Sequence, residues 1–135
     1  MTTTPPRLRV LFCSDAPWAT SGYSVETALY AKGLKHHCDL ALLCTFGLHG
    51  GMQEWEGIPV FPGGADAFAN DVIPKAAAVW KADVVITLKD TAVFHPQTFQ
   101  GLRWMPFVPV DHDPTPASVV ERARASYRPI AYAPH

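Results

Sequence analysis

At 135 residues, 48% of them hydrophobic, the chain is long enough to bury a sizeable core and short for two domains, so one domain is expected. Eleven Lys and Arg stand against twelve Asp and Glu with no run of like charge, which argues against a broad nucleic-acid or membrane surface and favours a small neutral or anionic ligand. The three cysteines, Cys13, Cys38 and Cys44, are an odd number without metal-like spacing and lie in or beside apolar segments, as suits buried thiols in a reducing compartment; a cytoplasmic location is the expectation.

Residues 1–6, MTTTPP, carry neither the basic start nor the apolar stretch of a signal peptide and read as a disordered tail ahead of a single domain over 7–135. No segment approaches the length of a membrane span. Val10 to Cys13 is an unbroken apolar run, the pattern of a central strand covered on both faces. Ser14-Asp15-Ala16-Pro17 ends it, and Thr20-Ser21-Gly22 places capping hydroxyls and a residue without a side chain where a helix begins. A helix start of this kind is either a phosphate cradle, with free N–H groups, a favourable dipole and close backbone approach at Gly22, or a cap with no ligand. Val25, Ala28, Leu29, Ala31 and Leu34 recur at helical spacing as the packing face, leaving Glu26, Lys32 and Lys35 for solvent. His36 and His37 follow the helix and read as surface groups.

Cys38 to Cys44 is a second buried strand, followed by a glycine-rich loop carrying His49 that is able to border a site. Residues 53–61 read as a short hairpin turning at Glu56-Gly57, with Pro59 arguing for an edge position. Asn70 or Asp71 is placed to cap a helix through Lys81, with Pro74 in its first turn and Ile73, Ala76, Ala77 and Trp80 as its core stripe. Val84 to Leu88 is a third buried strand ending in Lys89-Asp90. Thr91 to Gly101 gives no clear pattern, since His95-Pro96 breaks any long helix. Trp104 to Val110 is a fourth strand shortened by Pro106 and Pro109. Thr115 caps and Pro116 opens a short helix to about Ala125, and Ile130 to Ala133 is a last strand.

This alternation predicts an α/β fold, a mostly parallel, doubly wound sheet with helices on both faces, in which ligands bind beyond the carboxyl ends of the strands. Ser14 to Gly22, His49 to Gly51, Lys89-Asp90 and Asp111-His112-Asp113-Pro114 each follow a strand, so one crevice is able to collect them. The first loop has one glycine where a dinucleotide fingerprint needs three, which argues against NAD. Neighbours on an extended chain point to opposite faces, so Asp111, His112 and Asp113 do not converge as metal ligands, and neither metal nor cofactor is expected. His112 reads as a polar group at the crevice rim tuned by Asp111 or Asp113, or as a partner of the next helix start. Trp18 either stacks on a sugar ring or covers the core edge.

Taken together, RVLFCSDAPWATSGYSVETALYAKGL, ADVVITLKD and PFVPVDHDP resemble the N-terminal, Rossmann-like half of GT-B glycosyltransferases, family 4 in particular, over nearly the whole chain. The resemblance implies transfer of a hexosyl unit from a nucleotide sugar to an acceptor hydroxyl, with retention and without metal, this half holding the acceptor. It places Ser21, Gly22 and Tyr23 at the donor phosphate and His112 and Asp113 at the transfer site, with Trp18 and Asp90 as acceptor contacts. Where many members end the preceding strand in H-x-H, this chain has Ile86-Thr87-Leu88. The second, donor-binding domain of such enzymes and its acidic pair have no counterpart here, so the chain alone is expected to be inactive. A partner chain in place of that domain is the corresponding partner expectation. The alternatives are a non-catalytic phosphate- or nucleotide-binding module and a stand-alone interaction domain. If the VVITL strand lies beside the first strand and the PFVPV strand beside that, Gly22 and His112 share one crevice edge with Asp90 between them, on strand lines ~10 Å apart.

Overall fold

A computed structural model describes residues 7–48, 50–109 and 117–132. The expectations on residues 1–6, on His49, and on Asp111, His112, Asp113, Thr115, Pro116 and Ala133 lie outside those residues. The elements in chain order are β1 (Arg9–Asp15), α1 (Gly22–Leu34), β2 (Asp39–Phe46), β3 (Gln53–Trp55), β4 (Ile58–Pro62), α2 (Ile73–Trp80), β5 (Val84–Thr87), β6 (Trp104–Pro109), α3 (Ala117–Ala125) and β7 (Ile130–Tyr132). Two short 3-10 turns, Thr91–Val93 and Pro96–Phe99, occupy the stretch that has no readable pattern in sequence. The fold is mixed α/β. Among the described residues seven strands lie side by side in the order β3-β4-β2-β1-β5-β6-β7, and of these only β3 runs antiparallel to its neighbour. Among the described residues no helix is long and apolar enough to cross a membrane.

β1 is central because both of its faces are apolar. Val10 and Phe12 pack with Leu40, Leu42 and Val60 and with Ala31 of α1, whereas Leu11 and Cys13 pack with Ala41, Leu43 and Val85 and with Ile73, Ala76 and Ala77 of α2. The second cluster is finished by aromatic rings, with Phe99 stacked on Trp104 at 4.1 Å and Phe94 edge-on to both. Trp104 is fully buried, and its indole N–H is satisfied by the Thr87 hydroxyl at 3.0 Å.

The hairpin forms as expected: Glu56 and Gly57 both have positive φ, 53° and 79°, the two-residue turn that suits the right-handed twist of the paired strands. Pro59, however, is on β4, which is covered by β3 on one side and β2 on the other, so β3 rather than β4 is the edge. The proline is tolerated because pairing with β2 begins only at Val60.

α1 corrects the sequence reading more sharply. Its buried residues are Ser24, Thr27 and Ala31, while Val25 and Leu29 are 62% and 68% exposed. Small side chains let the helix lie close to the sheet, and the hydroxyls are satisfied locally, Thr27 donating to the Tyr23 carbonyl at 2.8 Å. Of the expected stripe, Val25 and Leu29 are thus turned outward, whereas Ala31 is buried and Leu34 packs against the core, and Glu26 is half-buried rather than solvent-facing. α2 buries its predicted Ile73, Ala76 and Ala77, but Val72 is its N-cap and makes no side-chain cap bond. Asp71 instead accepts from the Ala65 N–H at 2.8 Å, and Asn70 is tied to the chain beyond β5. Trp80 is half-buried and packs against the margin of the second cluster, with Arg9 over its ring at 4.1 Å and its N–H reaching the Asp39 carbonyl at 3.3 Å.

Candidate functional site

β5 lies beside β1, and β6 beside β5, which is the adjacency that brings the carboxyl ends of these three strands together along one edge. On its other side β1 pairs with β2, so the chain's excursions leave β1 and β5 in opposite directions, which makes their carboxyl ends the switch point at which such sheets receive ligands. The two strand ends are locked there: Leu88 N–H donates to the Cys13 carbonyl at 2.9 Å, and the Ser14 hydroxyl donates to the Leu88 carbonyl at 3.0 Å.

A nearly buried ion pair sits at this switch point. Lys89 Nζ sits 2.5 Å from Asp15 Oδ1, with side-chain exposures of only 15% and 4%. Thr45, from the end of β2, donates to the same oxygen at 3.3 Å, and Ser21 donates to Asp15 Oδ2 at 2.6 Å. The Lys89 ammonium also lies 5.3 Å from the Tyr23 ring centre and 5.9 Å from that of Phe68. One carboxylate thus gathers the ends of β1, β2 and β5 and the start of α1.

Proton bookkeeping fixes the direction of the chain of hydroxyls. A carboxylate only accepts, so the single Ser21 proton goes to Asp15; the 2.7 Å contact between the Ser21 and Ser24 hydroxyls must then carry the Ser24 proton. Ser21 Oγ also accepts the Ser24 N–H at 3.1 Å, which makes Ser21 the N-cap of α1, as its extended backbone (φ −137°, ψ 163°) requires. At Gly22 the first helical residue is exposed, and a Cβ placed there would meet nothing within 4 Å. The helix start is therefore open to approach, with its positive dipole end beside Lys89.

Of the predicted site residues, Ser21, Gly22 and Tyr23 come together at this switch point, and Asp90 immediately follows Lys89. The Asp90 carboxylate is exposed and accepts the Ala92 N–H at 3.0 Å, capping a 3-10 turn. Trp18 lies in the loop that follows Asp15, with its indole N–H donated to the Gly47 carbonyl at 2.7 Å. Asp15 and Lys89 are the residues that sequence reasoning missed as a pair. The available signal was a charged residue of opposite sign at or just beyond the end of each of two apolar strands.

The cysteines take no part in chemistry here. Burial pushes the Cys44 thiol up to about 12, reinforced by the Asp15 charge, and burial raises Cys13 further still, so neither offers a thiolate at neutral pH. Among the described residues no group of three or more His, Cys, Asp or Glu is arranged to hold a metal. On the α2 side of the edge, Asn70 joins two loops: its carbonyl oxygen accepts from the His95 N–H and the Thr98 hydroxyl, and its amide donates to Asp66 Oδ2 at 2.6 Å. That bond, more than any other, holds the Asp66 carboxyl below its ordinary value.

No protein-family model matches the chain, and no curated protein matches it.

Proposed function

We propose that the chain is the acceptor-side half of a retaining GT-B glycosyltransferase of the family 4 kind, built as a doubly wound, Rossmann-like domain with helices on both faces. The observation that carries this reading is the unobstructed start of α1 at Gly22, set over the point where the order of the parallel strands reverses. Renumbered among themselves, the six parallel strands run in the order of the dinucleotide-binding folds, and the two core clusters involve α1 with one set of β1 side chains and α2 with the alternate set.

In this reading the backbone N–H groups at the beginning of α1 meet the leaving nucleoside diphosphate. Charge developing on the phosphate oxygens is stabilised by fixed dipoles that need no reorganisation. Ser21 acts through its backbone, because its hydroxyl proton is committed to Asp15. His112 and Asp113, which follow β6, orient the sugar or acceptor hydroxyl across the cleft. Asp90 and Trp18 contact the acceptor. The donor sugar itself is held mostly by a second domain or by a partner chain in its place, so the 135-residue chain alone does not turn over nucleotide sugar. Three free, buried thiols suit a cytoplasmic protein.

A stand-alone interaction domain is the second reading. It is favoured by Trp18, Phe46 and Met52, which are 40%, 55% and 56% exposed at the carboxyl edge where a second domain would sit, Phe46 at the end of β2 and the other two on loops. The deciding experiment is titration of the chain with uridine diphosphate, followed at the backbone amides, for wild type and Gly22→Val. Saturable shifts at Gly22 and Tyr23 that Gly22→Val removes, with little change in Tm, support the phosphate cradle. Because the added side chain meets open space, a large loss of stability is not expected, and unchanged affinity in the variant would make the helix start a cap and nothing more.

A further inference from the structure

The exposed tryptophan at the carboxyl edge is held more firmly than a surface aromatic needs to be. Ala16 N–H donates to the Phe46 carbonyl at 2.8 Å and Trp18 Nε1–H to the Gly47 carbonyl at 2.7 Å, so the loop after β1 is sewn to the loop after β2 on both sides of Ala16-Pro17-Trp18. Gly47 makes this closeness feasible: its φ is +94°, and a Cβ there would stand 2.7 Å from the Ala19 Cβ and 3.1 Å from the Ala16 Cβ. Ala16, Ala19 and Leu48 from these two loops pack against the core, whereas Trp18 between them remains 40% exposed.

With its N–H satisfied by the backbone, the Trp18 indole has no donor left to offer. What remains is its π surface, fixed in place before any ligand arrives, so little side-chain entropy is lost on contact. The ring stands in the loop between Asp15 and Ser21, three residues ahead of the α1 cap, and exposed Phe46 extends the apolar rim.

We infer that Trp18 is a preformed stacking platform for a pyranose ring, the Gly47 carbonyl holding the indole so that its negative face meets the weakly positive C–H face of the sugar. This rests on the acceptor-side reading above and sharpens it: the acceptor carries a closed sugar ring, and recognition of that ring begins outside the switch point. Asp90 and the remaining polar groups of the edge then address the ring hydroxyls.

The test uses the 135-residue chain and two polyhydroxyl probes, methyl β-glucoside with its closed ring and open-chain sorbitol, followed at the Trp18 indole N–H resonance, which Trp18→Phe identifies by its loss. Methyl β-glucoside shifts that resonance saturably and sorbitol does not. Ring saturation transfer to the glucoside protons falls with Trp18→Ala, whose affinity is lower by about two- to tenfold, and stays near wild type with Trp18→Phe, which keeps a π face. Gly47→Ala, which forces the two loops apart, weakens the glucoside without removing the ring. Equal shifts with sorbitol, no shift with the glucoside, or wild-type affinity in Trp18→Ala would each overturn the platform. Uridine diphosphate reports separately at Gly22, so failure of the diphosphate site with an intact glucoside response, or the reverse, tells the two ideas apart.

Discussion

The two ends of the sheet are both laced with charge, yet they differ in what the charge does. At the amino end Arg7 and Arg9 share Asp39, at 3.3 and 3.5 Å, with side-chain exposures of 47%, 35% and 41%. The same guanidinium groups also cap carbonyls, Arg7 those of Lys35 and Cys38 and Arg9 that of Trp80. At the carboxyl end the Asp15–Lys89 pair is almost wholly withdrawn from water. Charge at the amino end ties off loose backbone in solvent, where ion pairs are weak; at the carboxyl end it is embedded in the fold, where a half-removed pair leaves a stranded charge. A buried pair of that kind is a poor way to gain stability but a firm way to hold a loop and a helix start in one position. The pinned Trp18 belongs to the loop that the pair holds, and the open Gly22 to the helix start.

Breaking the carboxyl-end pair has the largest expected effect. Lys89→Met leaves Asp15 buried with two hydroxyls and no cation, and lowers unfolding free energy by about 3–5 kcal/mol in urea titration. The double variant Asp15→Asn with Lys89→Met recovers much of that loss, since it removes the stranded charge; no recovery would mean that packing, not charge, dominates the site. Ser21→Ala comes next. It removes the α1 cap and one hydroxyl from Asp15, costs about 1–2 kcal/mol, and loosens amide protection in the first turn of α1 ahead of the rest of the helix. At the opposite end Asp39→Asn changes stability by less than about 1 kcal/mol, and added salt shrinks the difference further, because all three partners are partly in water. The smallest effect is a pH dependence at the α2 edge. The Asp66 carboxyl is depressed in the folded state, so its contribution is complete above the ordinary carboxylate value and is lost as pH falls through the lower folded value. Asn70→Ala, which removes the main cause, should flatten that acid limb of the stability profile slightly.

The comparison also shows where local reasoning succeeds. Apolar runs at Val10 to Cys13 and Val84 to Leu88 are visible without any partner, and so are the Ser21 cap and the Glu56-Gly57 turn, because each depends on neighbours in the chain. The α1 face was misread for a related reason. Hydrophobic spacing picked out Ala31 correctly but also Val25 and Leu29, whereas a helix lying close on a sheet selects for small residues, and Ser24 and Thr27 qualify because their hydroxyls are satisfied nearby. Asn70 and Asp71 look like helix caps in isolation; the loops they meet from elsewhere in the chain claim their side chains first.

By itself, then, the sequence determined the α/β alternation, the place of the candidate site loops after the strands, and the residue at which α1 begins, since periodicity, turn chemistry and capping are short-range effects. Only the tertiary structure decided that β5 joins β1 on the side away from β2, and so that Lys89 meets Asp15 and the loops carrying Trp18 and Gly47 are fastened together. Those contacts link residues far apart in the chain, and their strength comes from burial, which no local pattern of residue types records.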